Sequence, residues 1–556
     1  MKNLTIKNIA HAVGGELYVP LFTADKKLSG EASGVFIDSR LCGENSVFVA
    51  IKGERSDGHD YIKDVFAEGA LCVICEHLPE EYPSTDASPD VSDKPHGKKV
   101  SNSSKGSEQA EYGPCIVVKS SAEALKKLAA YYRSTLDIRI VGIVGSMGKT
   151  STKEMVASVL SQHFNTHKTS GNFNNEIGVP LTLLAIREEH EIAVVEMGIS
   201  DFGEMDRLGA IVRPDAVVMT NIGPCHLEFL HDLDGVLKAK SEVFKHIPKN
   251  GLVVLNGADK KLNAIREVRG CRIAYYNTTP EASIAENNGS RKGNSAKIHE
   301  NATTTVSKDC KTSGRTLTET QNSCISADNI KSLGLLGTSF RLITTAGCID
   351  TTVHLPGTHC VTNAQAAAAV GLEFGLSLKE IAAGIEAVKP VQGRGYVEQV
   401  GKFTIIDDCY NANPESVKAA LDLLKTAKGR KCAILGDMFE LGENSAELHA
   451  SVGEYAARKR LSLIIFIGEQ SQNAYAAYTA YSALNRRRKL PSLSKTSGKK
   501  TTLDATPKAM YFKTLDAFFE FYKTIPFKKG DNILIKASHG MHFDKILAFF
   551  KENAIL

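Results

Sequence analysis

Short apolar runs recur along this chain, each closed by glycine, asparagine or a charged residue. "IRIVGIV" (138–144) is apolar at nearly every position, the pattern of a strand buried on both faces of a parallel sheet. A glycine turn follows it, and then Met155, Val156, Val159, Leu160 and Phe164 keep one apolar face at helical spacing. "IAVVEMG" (192–198), "DAVVMTNIG" (215–223) and "GLVVLNG" (251–257) read as further buried strands. The style returns later in "FTIIDDCY" (403–410), "KCAILGDM" (431–438), "LSLIIFIG" (461–468) and "DNILIKAS" (531–538). Helical stretches separate those runs, so they form a second α/β unit. Pro390, Gly393 and Gly395 mark a hinge before it. The fold class is α/β.

Three segments break this texture. Residues 84–112, 281–325 and 485–508 are dense in Ser, Thr, Asn, Asp, Lys and Gly and poor in large apolar side chains. Such composition cannot bury enough surface to offset the entropy of ordering, so they read as flexible surface insertions. The last opens with "NRRRKL", which suits an acidic partner or, more simply, a solvated loop.

At 556 residues the chain is too long for one core and suggests about three or four domains. A net charge of +4 gives no argument for a nucleic-acid partner. No stretch has the length and apolarity of a membrane span, and the N-terminus lacks the apolar core of a signal peptide. The twelve cysteines follow no repeating framework, as expected of reduced thiols in a cytoplasmic protein. Cys72 and Cys75 form a C-x-x-C with no second pair, inside what reads as a buried strand.

The chemistry begins at "GIVGSMGKTSTKEM" (142–155). The usual phosphate loop places a glycine five residues before Gly-Lys-Thr, and here that position is Ile143. The nearer Gly145 makes a shorter loop through Ser146, Met147 and Gly148 to Lys149, Thr150 and Ser151. The context of strand, glycine turn and helix still aims backbone N–H groups and a helix dipole at an anion. Lys149 adds a charge for the outer phosphates of ATP, and the Thr150 hydroxyl suits Mg²⁺. Glu196 closes the strand "AVVE" at the carboxyl edge of a parallel sheet, where ligands bind in open α/β folds and a carboxylate can hold magnesium.

The order of several stretches identifies a resemblance to the Mur ligase family, whose ATP loop has this shorter form. They are "GVFIDSR" and "VFVAIKGERSDGHDYI" near the start, "TSGNFNNEIGVPLTLL" (169–184), "NIGPCHLEFLHDLDGVLKAKSEVF" (221–244), "IIDDCYNANPES" (405–416) and "ILGDMFELG" (434–442). The resemblance implies a three-domain architecture: a UDP-sugar-binding domain over 1–118, a central P-loop ATPase domain over 119–390 and a C-terminal Rossmann-like domain over 391–556. It also implies a reaction of cytoplasmic peptidoglycan precursor synthesis. ATP phosphorylates the free carboxylate of UDP-N-acetylmuramoyl-tripeptide, and the amine of D-alanyl-D-alanine attacks the acyl phosphate to leave an amide. A monomer is expected.

The same resemblance implies roles for single residues. Thr150, Glu196, His226 and Lys240 match metal-site positions, with Lys240 at the lysine that the family carboxylates with CO₂. Asn363 matches a residue near adenine, and Arg394 and Asp408 match residues that close over ATP. Ser39 and Arg40 fall to the UDP-sugar domain, and Asn172 and Asn175 to the stretch facing the central cleft, although turn asparagines are the alternative reading. Without the resemblance, Lys240 reads as a solvated helix lysine and His226 as a loop residue.

The chain also departs from the family pattern. Val144 stands for Thr before the loop glycine, Cys360 for Asn, and Ala537 and His539 for Gly and Arg. None removes Lys149, Glu196 or Lys240, so an active enzyme is expected. Rival readings are a folylpolyglutamate synthetase-like ligase, against which the "IDSR…KGERSDGHD" region argues, and an inactive nucleotide-binding scaffold.

Overall fold

A computed structural model describes residues 1–20, 29–54, 56–83, 112–277, 323–487 and 508–553. The chain divides into two compact units, Met1–Val218 with Phe229–Pro248, and Met219–Glu228 with Lys249–Leu556. Each is described by itself.

The first unit opens with strands β1 (Glu16–Tyr18), β2 (Val35–Phe36), β3 (Val47–Val49), β4 (Cys72–Cys75) and β5 (Cys115–Val117), ordered β1-β5-β4-β3-β2. All pair in parallel except β1, which runs antiparallel to β5. Cys72 and Cys75 bound β4, are fully buried and are not disulfide-bonded, as the buried-strand reading requires. The Tyr82 hydroxyl sits between two carbonyls, 3.1 Å from Tyr18 O and 3.0 Å from Gly113 O.

The same unit continues with β6 (Arg139–Val144), β7 (Thr166–Lys168), β8 (Ile192–Glu196) and β9 (Ala216–Met219, whose last residue falls in the second unit), ordered β9-β6-β8-β7. The predicted helix after β6 spans Lys149–Leu160 and buries Met155, Val156, Val159 and Leu160. Phe164 lies beyond its end, in a turn whose N–H still donates to Leu160 O at 2.9 Å.

The second unit holds β10 (Leu252–Asn256), β11 (Arg272–Tyr276), β12 (Ser323–Ser332), β13 (Thr338–Thr344) and β14 (Gly347–Val353). From β10 to β12 the pairing is parallel, and β12, β13 and β14 form an antiparallel meander. Its other sheet contains β15 (Tyr396–Val400), β16 (Phe403–Asp407), β17 (Lys431–Gly436), β18 (Leu463–Ile467), β19 (Lys508–Phe512) and β20 (Asn532–Lys536). Their order is β15-β16-β20-β17-β18-β19, parallel apart from the edge strand β15. Alternate residues fill two separate cores, Ile405, Ile434, Ile465 and Ile533 on one face and Ile406, Leu435, Phe466 and Leu534 on the other. Burial on both faces explains the unbroken apolar runs. The order carries the carboxyl ends of β16, β20 and β17 to one edge of the sheet, where open α/β folds take ligands.

Most of the three unusual segments lies outside the described residues. At their margins the chain is ordered by burial or pairing. Tyr112 is buried against Phe66, Cys324 and Ile325 pair with Tyr275 and Tyr276, and Asn485 belongs to the helix Ser471–Arg487. Lys508 already pairs with Leu463. After Pro390, Gly393 is fastened to the sheet edge: its N donates to Asp407 Oδ2 at 2.9 Å and its O accepts from Tyr410 N at 3.0 Å.

Candidate active site

In the first unit the loop Gly145–Gly148 joins β6 to the helix Lys149–Leu160. Gly148 caps that helix at φ 76°, a left-handed conformation that glycine adopts without a Cβ clash. The N–H groups of the first helical turn therefore lie beside the loop. The Lys149 side chain folds back over the loop, Nζ donating to Gly145 O at 3.0 Å and Ser146 O at 3.3 Å. An arriving phosphate offers that ammonium stronger, charged acceptors. Val144, the residue departing from the family pattern, is the fully buried last residue of β6.

Thr150 and Glu196 meet directly. Thr150 Oγ1 donates to Glu196 Oε1 at 3.2 Å, and both residues are buried. Glu196 Oε1 also accepts from Asn174 Nδ2 at 2.7 Å. Its other oxygen, Oε2, is buried and accepts no hydrogen bond. A hydroxyl beside a buried carboxylate with an unsatisfied oxygen is a hard-oxygen donor set suited to Mg²⁺.

In the asparagine-rich stretch Asn174 reaches Glu196, whereas Asn175 Oδ1 accepts Gly178 N at 2.8 Å, at the start of the helix Gly178–Leu184. Asn172 is exposed in the turn, its carbonyl accepting Asn174 N. Lys153, which the sequence reading passed over, is almost wholly buried and lies 3.9 Å from Glu196 Oε2. Its spacing from Lys149 places it one turn along the same helix, and this is the signal that marks it.

Lys240 sits near the end of the helix Leu233–Ser241, which Asp232 caps through Gly235 N at 2.8 Å. Gly235 lets that helix approach the preceding turn, since a Cβ there would fall 1.9 Å from Leu230 O. Lys240 is 1% exposed, so the solvated-lysine reading does not hold. Ser39 and Arg40 lie in a short 3₁₀ turn. The largely exposed Arg40 side chain bonds Asp38, Nε to Oδ1 at 2.9 Å, and this holds the Asp38 carboxyl below the usual range.

The second unit carries the remaining candidates. Asp408 follows β16, and its Oδ2 accepts from Lys536 Nζ at 2.7 Å at the end of β20. Lys536 is buried and also donates to Asn411 O at 2.9 Å. The Arg394 guanidinium lies 3.8 Å above the Tyr410 ring, and His539 packs against that same ring at 5.4 Å. The His539 departure therefore keeps a flat side chain in the cluster. Asn363 lies in the helix His359–Glu373, half-buried. In the same helix Cys360 is buried, its Sγ donating to Pro356 O, and burial pushes its thiol up to about 12. His226 has a left-handed backbone at φ 50°, and its Nδ1 lies 3.3 Å from Glu440 Oε2.

Three family models cover most of the chain. "Mur ligase family, catalytic domain" matches residues 31–133, "Mur ligase middle domain" 143–371 and "Mur ligase, glutamate ligase domain" 394–539. The UDP-N-acetylmuramoyl-tripeptide–D-alanyl-D-alanine ligase of Escherichia coli K12 is 32% identical over 473 residues, 85% of this chain and 87% of the relative. A crystal structure of MurF from Acinetobacter baumannii superposes with a TM-score of 0.72 at 27% identity, covering 99% of both chains. MurF of Thermotoga maritima in complex with ADP gives 0.65 at 23% identity, covering 96% of this chain and 99% of that one, a likeness of fold. These matches run through the phosphate loop, the Thr150–Glu196 pair and the Asp408 edge alike, and on them the chain belongs to the Mur ligase family.

Proposed function

We propose that this chain is an ATP-dependent ligase that adds D-alanyl-D-alanine to UDP-N-acetylmuramoyl-tripeptide through an acyl phosphate. The observation that carries the reading is the joint occurrence of the short phosphate loop with its Thr150–Glu196 pair and a 32% identical relative of that name over 85% of the chain.

Phosphorylating a carboxylate with ATP brings negative charges together, so the site must supply cations and fixed N–H donors. In this reading Gly145, Ser146, Met147, Gly148 and Ser151 bind ATP through the loop and the first helical turn, and Lys149 draws charge from the outer phosphates. Thr150 and Glu196 hold Mg²⁺, with His226 and a CO₂-derived carbamate on Lys240 as the further ligands. Magnesium supplies charge neutralisation at the phosphates when bound. Asn363 meets the adenine, and Arg394 and Asp408 close over the nucleotide. Ser39 and Arg40 serve the UDP-sugar, and Asn172 and Asn175 line the tripeptide side. The domains are 1–118, 119–390 and 391–556, and the enzyme works as a cytoplasmic monomer. No helix among the described residues is long and apolar enough to cross a membrane.

The test is phosphate release from ATP with UDP-N-acetylmuramoyl-tripeptide, offering D-alanyl-D-alanine, D-glutamate, L-lysine or L-glutamate as acceptor. Turnover is expected only with the dipeptide and both co-substrates. Release with L-glutamate on a folate would favour the folylpolyglutamate synthetase-like reading, and no release with any acceptor would favour the scaffold.

A further inference from the structure

Lys153 follows Lys149 by one helical turn, yet its side chain is only 1% exposed. A buried ammonium persists only where partners replace its water. Lys153 Nζ donates to Thr169 O at 2.7 Å, lies 3.1 Å from Glu154 Oε1, and lies 3.9 Å from Glu196 Oε2. Glu154 in turn pairs with Lys168, the last residue of β7. These bonds tie the nucleotide helix to the end of β7.

Thr169 has a second bond. Its Oγ1 accepts the backbone N–H of Glu196 at 3.0 Å, and Thr169 is fully buried. One residue thus receives a bond from the nucleotide helix through its carbonyl and from the end of β8 through its hydroxyl. Glu196 is fixed from three directions: its backbone by Thr169, its Oε1 by Thr150 and Asn174, and its Oε2 by the charge of Lys153.

We propose that Lys153 and Thr169 form a brace that positions the Glu196 carboxylate for a divalent cation. Lys153 is a positioning residue, since an ammonium has no lone pair to give a metal. The inference rests on the reading of Glu196 as a Mg²⁺ ligand. Partners that orient a ligand carboxylate are worth about 10- to 100-fold in metal affinity. The Lys149 ammonium bonds the loop carbonyls of Gly145 and Ser146, whereas the brace bonds Thr169 and Glu196, so nucleotide affinity without metal is expected to be independent of it.

The experiment is calorimetric titration of ADP into the full-length protein at a series of free Mg²⁺ concentrations. Lys153→Met and Thr169→Val are each expected to raise the Mg²⁺ needed for half its effect about tenfold or more, with ADP affinity in chelator unchanged. Thr169→Ser, which keeps the hydroxyl, is expected to restore the wild-type Mg²⁺ dependence. Glu196→Gln is the reference and should shift it at least as far. If Glu196→Gln shifts the dependence and neither brace variant does, the brace is wrong and the reading of Glu196 stands. If Glu196→Gln also leaves it unmoved, both fall. Should Lys153→Met fail to fold, Thr169→Val alone decides, because it is nearly isosteric.

Discussion

Lys536 Nζ and Asp408 Oδ2 meet at 2.7 Å across the carboxyl ends of β20 and β16, joining positions 128 residues apart. The lysine side chain is 3% exposed and the aspartate 22%. The pair therefore pins the turn after β16, which carries a candidate nucleotide contact, to the centre of its sheet.

Removing the ammonium tests that pin. Lys536→Met should destabilise the protein by about 2 to 3 kcal/mol, below the 3–5 of a fully buried pair because water reaches Asp408 in part. A lower urea midpoint for the transition of the second unit is the expected reading. An unchanged midpoint would mean that the pair contributes nothing to the turn.

At the phosphate loop, Lys149→Ala should cut ligation by about 10²-fold or more, since its charge acts where charge develops in transfer. The folded state should survive, because Lys149 Nζ bonds carbonyls of its own loop, Gly145 O and Ser146 O. Steady-state turnover with an unfolding curve beside it separates the two effects.

Lys240 carries the proposed carbamate. Only the neutral amine reacts with CO₂, and Lys240 is 1% exposed. Lys240→Ala should lose most activity and regain some with a small carboxylic acid added to the assay. The same acid should do nothing for Lys149→Ala, whose missing group is a cation. Full activity of Lys240→Ala without bicarbonate would refute the carbamate.

Acid sensitivity should trace in part to His167 on β7. Burial, then the neighbouring His190, lowers its pKa from 6.5 to about 4, while its Nε2 meets Thr182 O at 3.0 Å. The unfolded chain takes up this proton first, so the stability is complete above pH 6.5 and is lost as pH falls toward 4. The loss is up to about 3 kcal/mol. Urea midpoints between neutral pH and about 4.5 should fall less steeply in His167→Gln, which does not titrate.

How much of this was legible in the sequence depended on how local each feature is. The parallel strands announced themselves because burial on both faces leaves unbroken runs such as "CAILG" and "LIIFI". The edge strand β15, "YVEQV", has one wet face and no such run, and β12 to β14 are largely polar meander strands. Thr150 and Glu196 were readable from a loop motif and a strand end. Lys153, Asn174 and Lys536 were not, because each acts on a partner 16, 22 or 128 positions away. Their roles come from burial and the pairing of strands, which single-chain periodicity does not encode. Asn175 shows the opposite case, since its partner at Gly178 is local and fits the turn reading that asparagine spacing already offered.

The Tyr82 hydroxyl lies between Tyr18 O and Gly113 O, so it holds its own stretch of chain against the one around Gly113. One hydroxyl is thus a clasp, fastening backbone 64 positions before it to backbone 31 positions after it.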